Sequence, residues 1–175
     1  MHTENTDLKK SIRDVPDFPK KGIVFKDITR LLADQELFKK TINSISERYK
    51  SRKINKIVGM ESRGFIFGAP VAYSLGAGFV PVRKKGKLPY KTISTTYQLE
   101  YGTDTLEMHA DAIKSGENIL IVDDVLATGG TAAATVDLVK KSGGNIIGLA
   151  FLIELSFLNG REKIKGHEVF SLLTF

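Results

Sequence analysis

The stretch that most constrains this chain is NILIVDDVLATGGTAAATVDLVKK, from Asn118 to Lys141. It opens on Ile119, Leu120, Ile121 and Val122, an apolar run rich in β-branched residues and preceded by Gly116. Such a run reads as a strand covered on both faces, the situation of a strand inside a parallel sheet. Asp123 and Asp124 stand where that strand is expected to end. Ala127, Thr128, Gly129, Gly130 and Thr131 then form a loop of small and hydroxylated residues. Ala132 to Lys141 follows with good helix formers, and Ala132, Ala133, Val136 and Val139 fall at helical spacing.

The chemistry follows from this layout. Glycines let the backbone approach an anion closely, Thr128 and Thr131 add hydroxyl donors, and a new helix offers unpaired N–H groups with the positive end of its dipole. The loop should therefore hold a phosphate. It is not a P-loop, because no Gly-Lys-Ser/Thr follows, and it is not the GxGxxG of a dinucleotide fold. A Gly-Gly turn alone would be an ordinary connection between strand and helix; Asp123, Asp124 and the threonines argue for more. Carboxylates repel phosphate, so these two must serve another part of the same ligand. Sugar hydroxyls, which donate to carboxylates, or a hard cation such as Mg²⁺ are their natural partners. Phosphate and vicinal hydroxyls a few ångströms apart describe a ribose 5-phosphate.

The 175 residues suit one domain with a full core, residues 1–175. The 42% apolar and 26% charged content is that of a globular protein. The absence of cysteine excludes disulfides and thiolate metal sites and fits a reducing cytoplasm. The opening residues are polar and contain acids, unlike a signal peptide, and no apolar run approaches the roughly 18 residues of a membrane span. A net charge of +6 suits nucleic acid or a substrate with several phosphates, and charge alone does not choose.

Before the central stretch, Asp7 to Val15 is expected to be a short helix, and Pro16, Pro19 and Gly22 to set turns around the apolar run Ile23–Phe25. Asp34 can cap a helix to about Lys50, with Leu37, Ile42, Ile45 and Tyr49 near one face. Ile54 to Met60 is a strand candidate ending in Glu61-Ser62-Arg63-Gly64, with a helix to about Leu75. This second strand-to-helix junction, with its fixed cation and glycine, also suits an anion. A strand from Gly78 to Arg83 leads into the basic run KKGKLPYKT, and residues 92–109 look like a β-ribbon or flap. Beyond the central helix, Ile146–Ile153 and Val169–Leu173 read as strands, and the lone His109 as structural. The order gives a mostly parallel twisted sheet with helices on both faces and ligand loops at the carboxyl strand ends.

IVDDVLATGGT resembles the phosphoribosyl-pyrophosphate (PRPP) motif of the type I phosphoribosyltransferases. FPxxGIxFxDIT, MESRGF, RKKGKLP and LEYG are similar to segments of the adenine-specific branch. The resemblance covers Asp17 to Phe175 and implies the type I fold with an N-terminal hood (about 16–30) and a β-flap (about 84–109). It implies a transferase making AMP and pyrophosphate from adenine and PRPP with Mg²⁺, a homodimer in the cytoplasm that engages neither nucleic acid nor membrane. Carried over by residue, Asp123 and Asp124 would hold the ribose hydroxyls, and Ala127, Thr128, Gly129, Gly130 and Thr131 the 5′-phosphate. Ser62 and Arg63, in a loop that often contains a cis non-proline peptide, would take the pyrophosphate with Arg83 and Lys87. Phe25 would stack on the purine, Val24 and Lys26 would present backbone groups to its edge, and Leu126 would cover its other face. Glu100 would act on the purine imidazole as acid and base. Mg²⁺ would be held mainly by substrate, with Asp123 or Asp124 as the protein's candidate ligands. The branch often has Arg where this chain has Lys26. Two rivals are a transferase for an oxopurine such as xanthine, against which the short hood and LEYG stand, and a PRPP-sensing regulator, for which the sequence before Ile54 leaves little room for a DNA-binding module.

Overall fold

The computed structural model describes residues 5–98 and 102–175. A helix α1 (Thr6–Ser11) leads into a hairpin of β1 (Arg13–Pro16) and β2 (Val24–Asp27), paired antiparallel from Arg13↔Asp27 to Pro16↔Val24. Helices α2 (Thr29–Ala33) and α3 (Gln35–Tyr49) follow. Then come β3 (Lys56–Met60), α4 (Arg63–Leu75), β4 (Gly78–Lys84), the ribbon β5 (Thr92–Gln98) and β6 (Thr103–His109), β7 (Asn118–Leu126), α5 (Gly130–Lys141) and β8 (Asn145–Glu154). Two 3₁₀ turns, Ser156–Leu158 and Gly160–Ile164, precede β9 (Val169–Thr174).

The main sheet has the order β5-β6-β4-β3-β7-β8-β9. Strands β4, β3, β7, β8 and β9 are parallel, and β6 and β5 continue the sheet antiparallel. The central strands read as unbroken apolar runs because helices cover both faces. Val58, Ile119, Ile121 and Phe151 pack with Val136 and Val139 of α5 on one face. Ile57, Leu120, Val122 and Leu152 pack with Ile45 and Tyr49 of α3 and Phe67 and Val71 of α4 on the other. Asp34 caps α3 by accepting from the N–H groups of Glu36 and Leu37, each at 3.0 Å. The ribbon edge is fastened to α5 by Thr95 Oγ1 donating to Asp137 Oδ2 at 2.6 Å.

Three local expectations change. The helix over 7–15 ends at Ser11, because Arg13–Pro16 finds strand partners in β2; Val15, ahead of proline, also disfavours helical backbone. The apolar run Ile23–Phe25, expected to lie among turns, falls partly in β2 (Val24–Asp27) for the same reason. The acids do not end their strand: β7 runs on to Leu126, with Asp123 beside Phe151 and Leu126 beside Glu154 of β8. Pairing with β3 stops at Val122, and β8 alone holds the chain extended past that point, to Leu126.

Candidate active site

The site is assembled at the carboxyl ends of β3 and β7. Asp124 is buried, and Arg63 at the start of α4 brings Nε to 2.7 Å from its Oδ2. Asp123 turns Oδ1 back to accept the Asp124 N–H at 2.9 Å. Helix α4 can start so close only because residue 64 is glycine: a Cβ there would stand 2.7 Å from Asp123 Oδ1 and 3.1 Å from the Val122 carbonyl oxygen. Burial pushes the Asp123 carboxyl well above the usual carboxylate range, and repulsion from Asp124 adds to it. Burial raises Asp124 as well, with the Arg63 guanidinium acting against that rise. The two titrate as a pair.

Directly after β7, Asp123 and residues 125–132 line a cavity of about 80 Å³. Gly129 lies in the left-handed region at φ 76°, and no side chain caps α5 behind it. The helix start is thus presented as bare backbone, the arrangement that receives an anion. The loop has a neighbour that the sequence reading missed. A Cβ on Gly129 would clash with the Gly160 carbonyl oxygen, and one on Gly160 would clash equally with that of Ala127, so two backbones interlock where neither admits a side chain.

A second cavity, of about 180 Å³, lies under the hairpin, with Val24, Phe25, Lys26, Arg63, Val125 and Ala127 among its walls. The Arg63 guanidinium stands 5.0 Å from the Phe25 ring centroid, and Phe18 meets Phe25 edge-on at 5.3 Å. The Lys26 ammonium is engaged elsewhere, 2.7 Å from Asp14 Oδ1 and 4.2 Å from the Phe175 ring centroid. The placement of Leu126 corrects the sequence expectation. Leu126 is 1% exposed in the α5-face core, and Val125 lines the hairpin cavity instead. Leu120 and Val122 face α4, so strict alternation would put Leu126 there too. The phase slips by one across Asp123 and Asp124, and Ile153 on β8 shows the same slip.

Ser62 precedes α4, and the Glu61–Ser62 peptide is cis. Arg83 and Lys87 come to this junction through Glu61, which sequence reasoning passed over although it stands in the MESRGF motif. Lys87 Nζ lies 2.5 Å from Glu61 Oε1, Arg83 Nε 3.4 Å from Oε2, and the Lys84 N–H donates to Oε2 at 3.0 Å. Burial opposes ionisation of Glu61, but the hydrogen bonds from Lys87, Lys84 and Arg83 hold its carboxyl below the usual range. Glu100 lies outside the described residues. Among the described residues, no group of three or more His, Cys, Asp or Glu side chains could hold a metal, and no helix is long and apolar enough to cross a membrane.

Residues 27–172 match the phosphoribosyl transferase domain. The adenine phosphoribosyltransferase of Geobacter metallireducens is 62% identical over 97% of this chain and 99% of its own length. The crystal structure of adenine phosphoribosyltransferase from Thermoanaerobacter pseudethanolicus superposes with a TM-score of 0.94 at 53% identity, over 97% of this chain and 98% of that one. The Saccharomyces cerevisiae enzyme, solved with an imino-altritol bisphosphate and adenine, gives 0.90 at 45% identity over 95% and 96%. By fold, motif and likeness over nearly its whole length, the chain belongs to the phosphoribosyltransferase family, in its adenine phosphoribosyltransferase branch.

Proposed function

We infer that the chain transfers the phosphoribosyl group of PRPP to N9 of adenine, releasing pyrophosphate and giving AMP in purine salvage. One observation carries this reading: the phosphate-loop cavity and the hairpin cavity share Val125 and Ala127 as walls, with Asp123 lining the phosphate-loop side. A 5′-phosphate, a ribose and a base can then lie in that order along the end of β7. In this assignment the hairpin belongs to a hood of about 16–30. Phe25 stacks on the purine, Val125 covers the other face, and the backbone at Val24 and Lys26 reads its edge. Residues 127–131 fix the 5′-phosphate, and Asp123 and Asp124 accept from the ribose hydroxyls and favour the positive charge that develops at C1′. Ser62, Arg63, Arg83 and Lys87 take the leaving pyrophosphate, for which Glu61 has to release the two cations it pairs. Glu100, in a flap of about 84–109, accepts the N7 proton as N9 bonds to C1′.

Asp123 and Asp124 supply hard oxygen donors, but too few to hold Mg²⁺ without substrate oxygens, which suits an ion that arrives on PRPP. When bound, Mg²⁺ neutralises charge on the pyrophosphate. We assign the protein to the cytoplasm, consistent with its lack of cysteine. We also assign it as a homodimer, for which Tyr73, 91% exposed, and Ile66 on α4 offer apolar contact surface. The decisive assay incubates the protein with PRPP, Mg²⁺ and each of adenine, hypoxanthine, guanine and xanthine, and follows nucleotide and pyrophosphate. AMP from adenine alone is expected. Nucleotide formed at comparable rates from hypoxanthine or xanthine would overturn the base assignment, and no nucleotide from any base would overturn the transferase reading.

A further inference from the structure

We propose that Glu154 and Arg161 form a positioning pair for the phosphate loop: their ion pair clamps the turn Gly160–Ile164 against residues 127–129 and so fixes the backbone that receives the 5′-phosphate. The proposal rests on the assignment of that loop to the 5′-phosphate.

Glu154 ends β8, in register with Leu126 on one side and Thr174 on the other. Its side chain is only 10% exposed. Arg161 donates from Nε to Oε1 at 2.6 Å and from Nη2 to Oε2 at 2.7 Å, a fork that occupies both carboxylate oxygens. Its other contacts reach β9, at the Val169 carbonyl oxygen (3.3 Å) and Ser171 Oγ (3.5 Å). The arginine is therefore held to two strands of the sheet, and the residue before it is Gly160.

Gly160 is the point of contact. The close approaches between Gly129 and Gly160, and between Gly160 and the Ala127 carbonyl oxygen, leave no slack between turn and loop. Beside them the Leu155 N–H donates to the Leu126 carbonyl oxygen at 2.9 Å. The loop needs such a support, because no side chain caps α5 and a bare backbone binds phosphate well only if its N–H groups are already aimed. Neither Glu154 nor Arg161 lines the phosphate-loop cavity or the hairpin cavity. Their effect passes through position and not through contact with the ligand.

The test compares Arg161→Ala and Arg161→Lys with the wild-type protein in calorimetric titrations with AMP, with adenosine and with pyrophosphate. Arg161→Ala should weaken AMP by roughly tenfold or more, as if one charge-assisted hydrogen bond to the phosphate were lost. Pyrophosphate affinity should stay unchanged. Lysine keeps the charge without the fork, so Arg161→Lys should fall between the two proteins. AMP affinity unchanged in Arg161→Lys, even if Arg161→Ala does not fold, would overturn the proposal, as would equal losses for AMP and pyrophosphate. A wild-type protein that binds adenosine as tightly as AMP would overturn the phosphate-loop reading itself, and the clamp with it.

Discussion

Asp123 shows most clearly how a single residue here works against the stability of its own fold. Its carboxyl is pushed up by burial and by Asp124, so the folded protein keeps that proton to higher pH than the unfolded chain does. Stability contributed at this site is therefore lost as pH rises from the ordinary carboxylate value through the folded value, and it stays lost above. Asn at this position has no charge to bury and can still accept the Asp124 N–H. Asp123→Asn is expected to melt above wild type at about pH 8, with the advantage shrinking toward about pH 4. Turnover should fall by roughly 10- to 100-fold, through a lost charge-assisted bond to a ribose hydroxyl. A variant melting at or below wild type at the higher pH would count against the burial argument. Glu100 makes a different kind of prediction. Glu100→Gln cannot accept a proton, so single-turnover rates should drop by about 10²–10⁴-fold with PRPP binding little changed. An unchanged single-turnover rate would leave Glu100 an ordinary solvated residue.

At the scale of elements, the site depends on how closely a helix start and a hairpin approach β7. Gly64→Ala places a methyl 2.7 Å from Asp123 Oδ1. The backbone of α4 must then back away, an overpacking cost of about 1–3 kcal/mol. Both a lower melting temperature and lost activity are expected; wild-type stability together with wild-type turnover would show that α4 can shift freely. For the hairpin, the Lys26 ammonium is paired with Asp14 and lies over the Phe175 ring, a placement that supports the proposed reading of the base by backbone groups and not by this side chain. Lys26→Ala should raise KM for adenine while leaving the preference for adenine over hypoxanthine intact, because that preference comes from backbone groups left unpaired by the wrong base. Kinetics with both bases checks this, and a collapse of the preference would restore the side chain to the reading. This level was legible only in part from the chain's own residues. Asp34 as a helix cap was legible because the cap and its N–H partners are adjacent in the chain. The hairpin was not, because the strand character of Arg13–Pro16 exists only through pairing with Val24–Asp27.

Taken whole, the molecule carries a net charge of +6 and acts on a polyanion. Its kcat/KM for PRPP should therefore fall as ionic strength rises, while that for neutral adenine changes little. Equal salt dependence for the two substrates would remove steering from the account. The division between sequence and tertiary structure follows the range of the interactions involved. The apolar run Ile119–Val122, the paired acids and the small-residue loop into α5 were written in consecutive residues. The strand, the uncapped helix start behind a small-residue loop and the paired carboxylates could be read from them, because propensity, backbone freedom and charge are local properties. The sequence by itself also implied a mostly parallel sheet covered on both faces, since Ile57–Val58, Leu120–Val122 and Leu149–Leu152 leave no side to face water. Only the tertiary structure decided that Val125 and not Leu126 faces the hairpin, that Glu61 gathers Arg83 and Lys87, and that Gly160 supports Gly129. Each of these depends on segments distant in sequence. Their positions are set by packing summed over the two cores and by the twist that brings the strand ends together, and no local stretch of residues carries that sum.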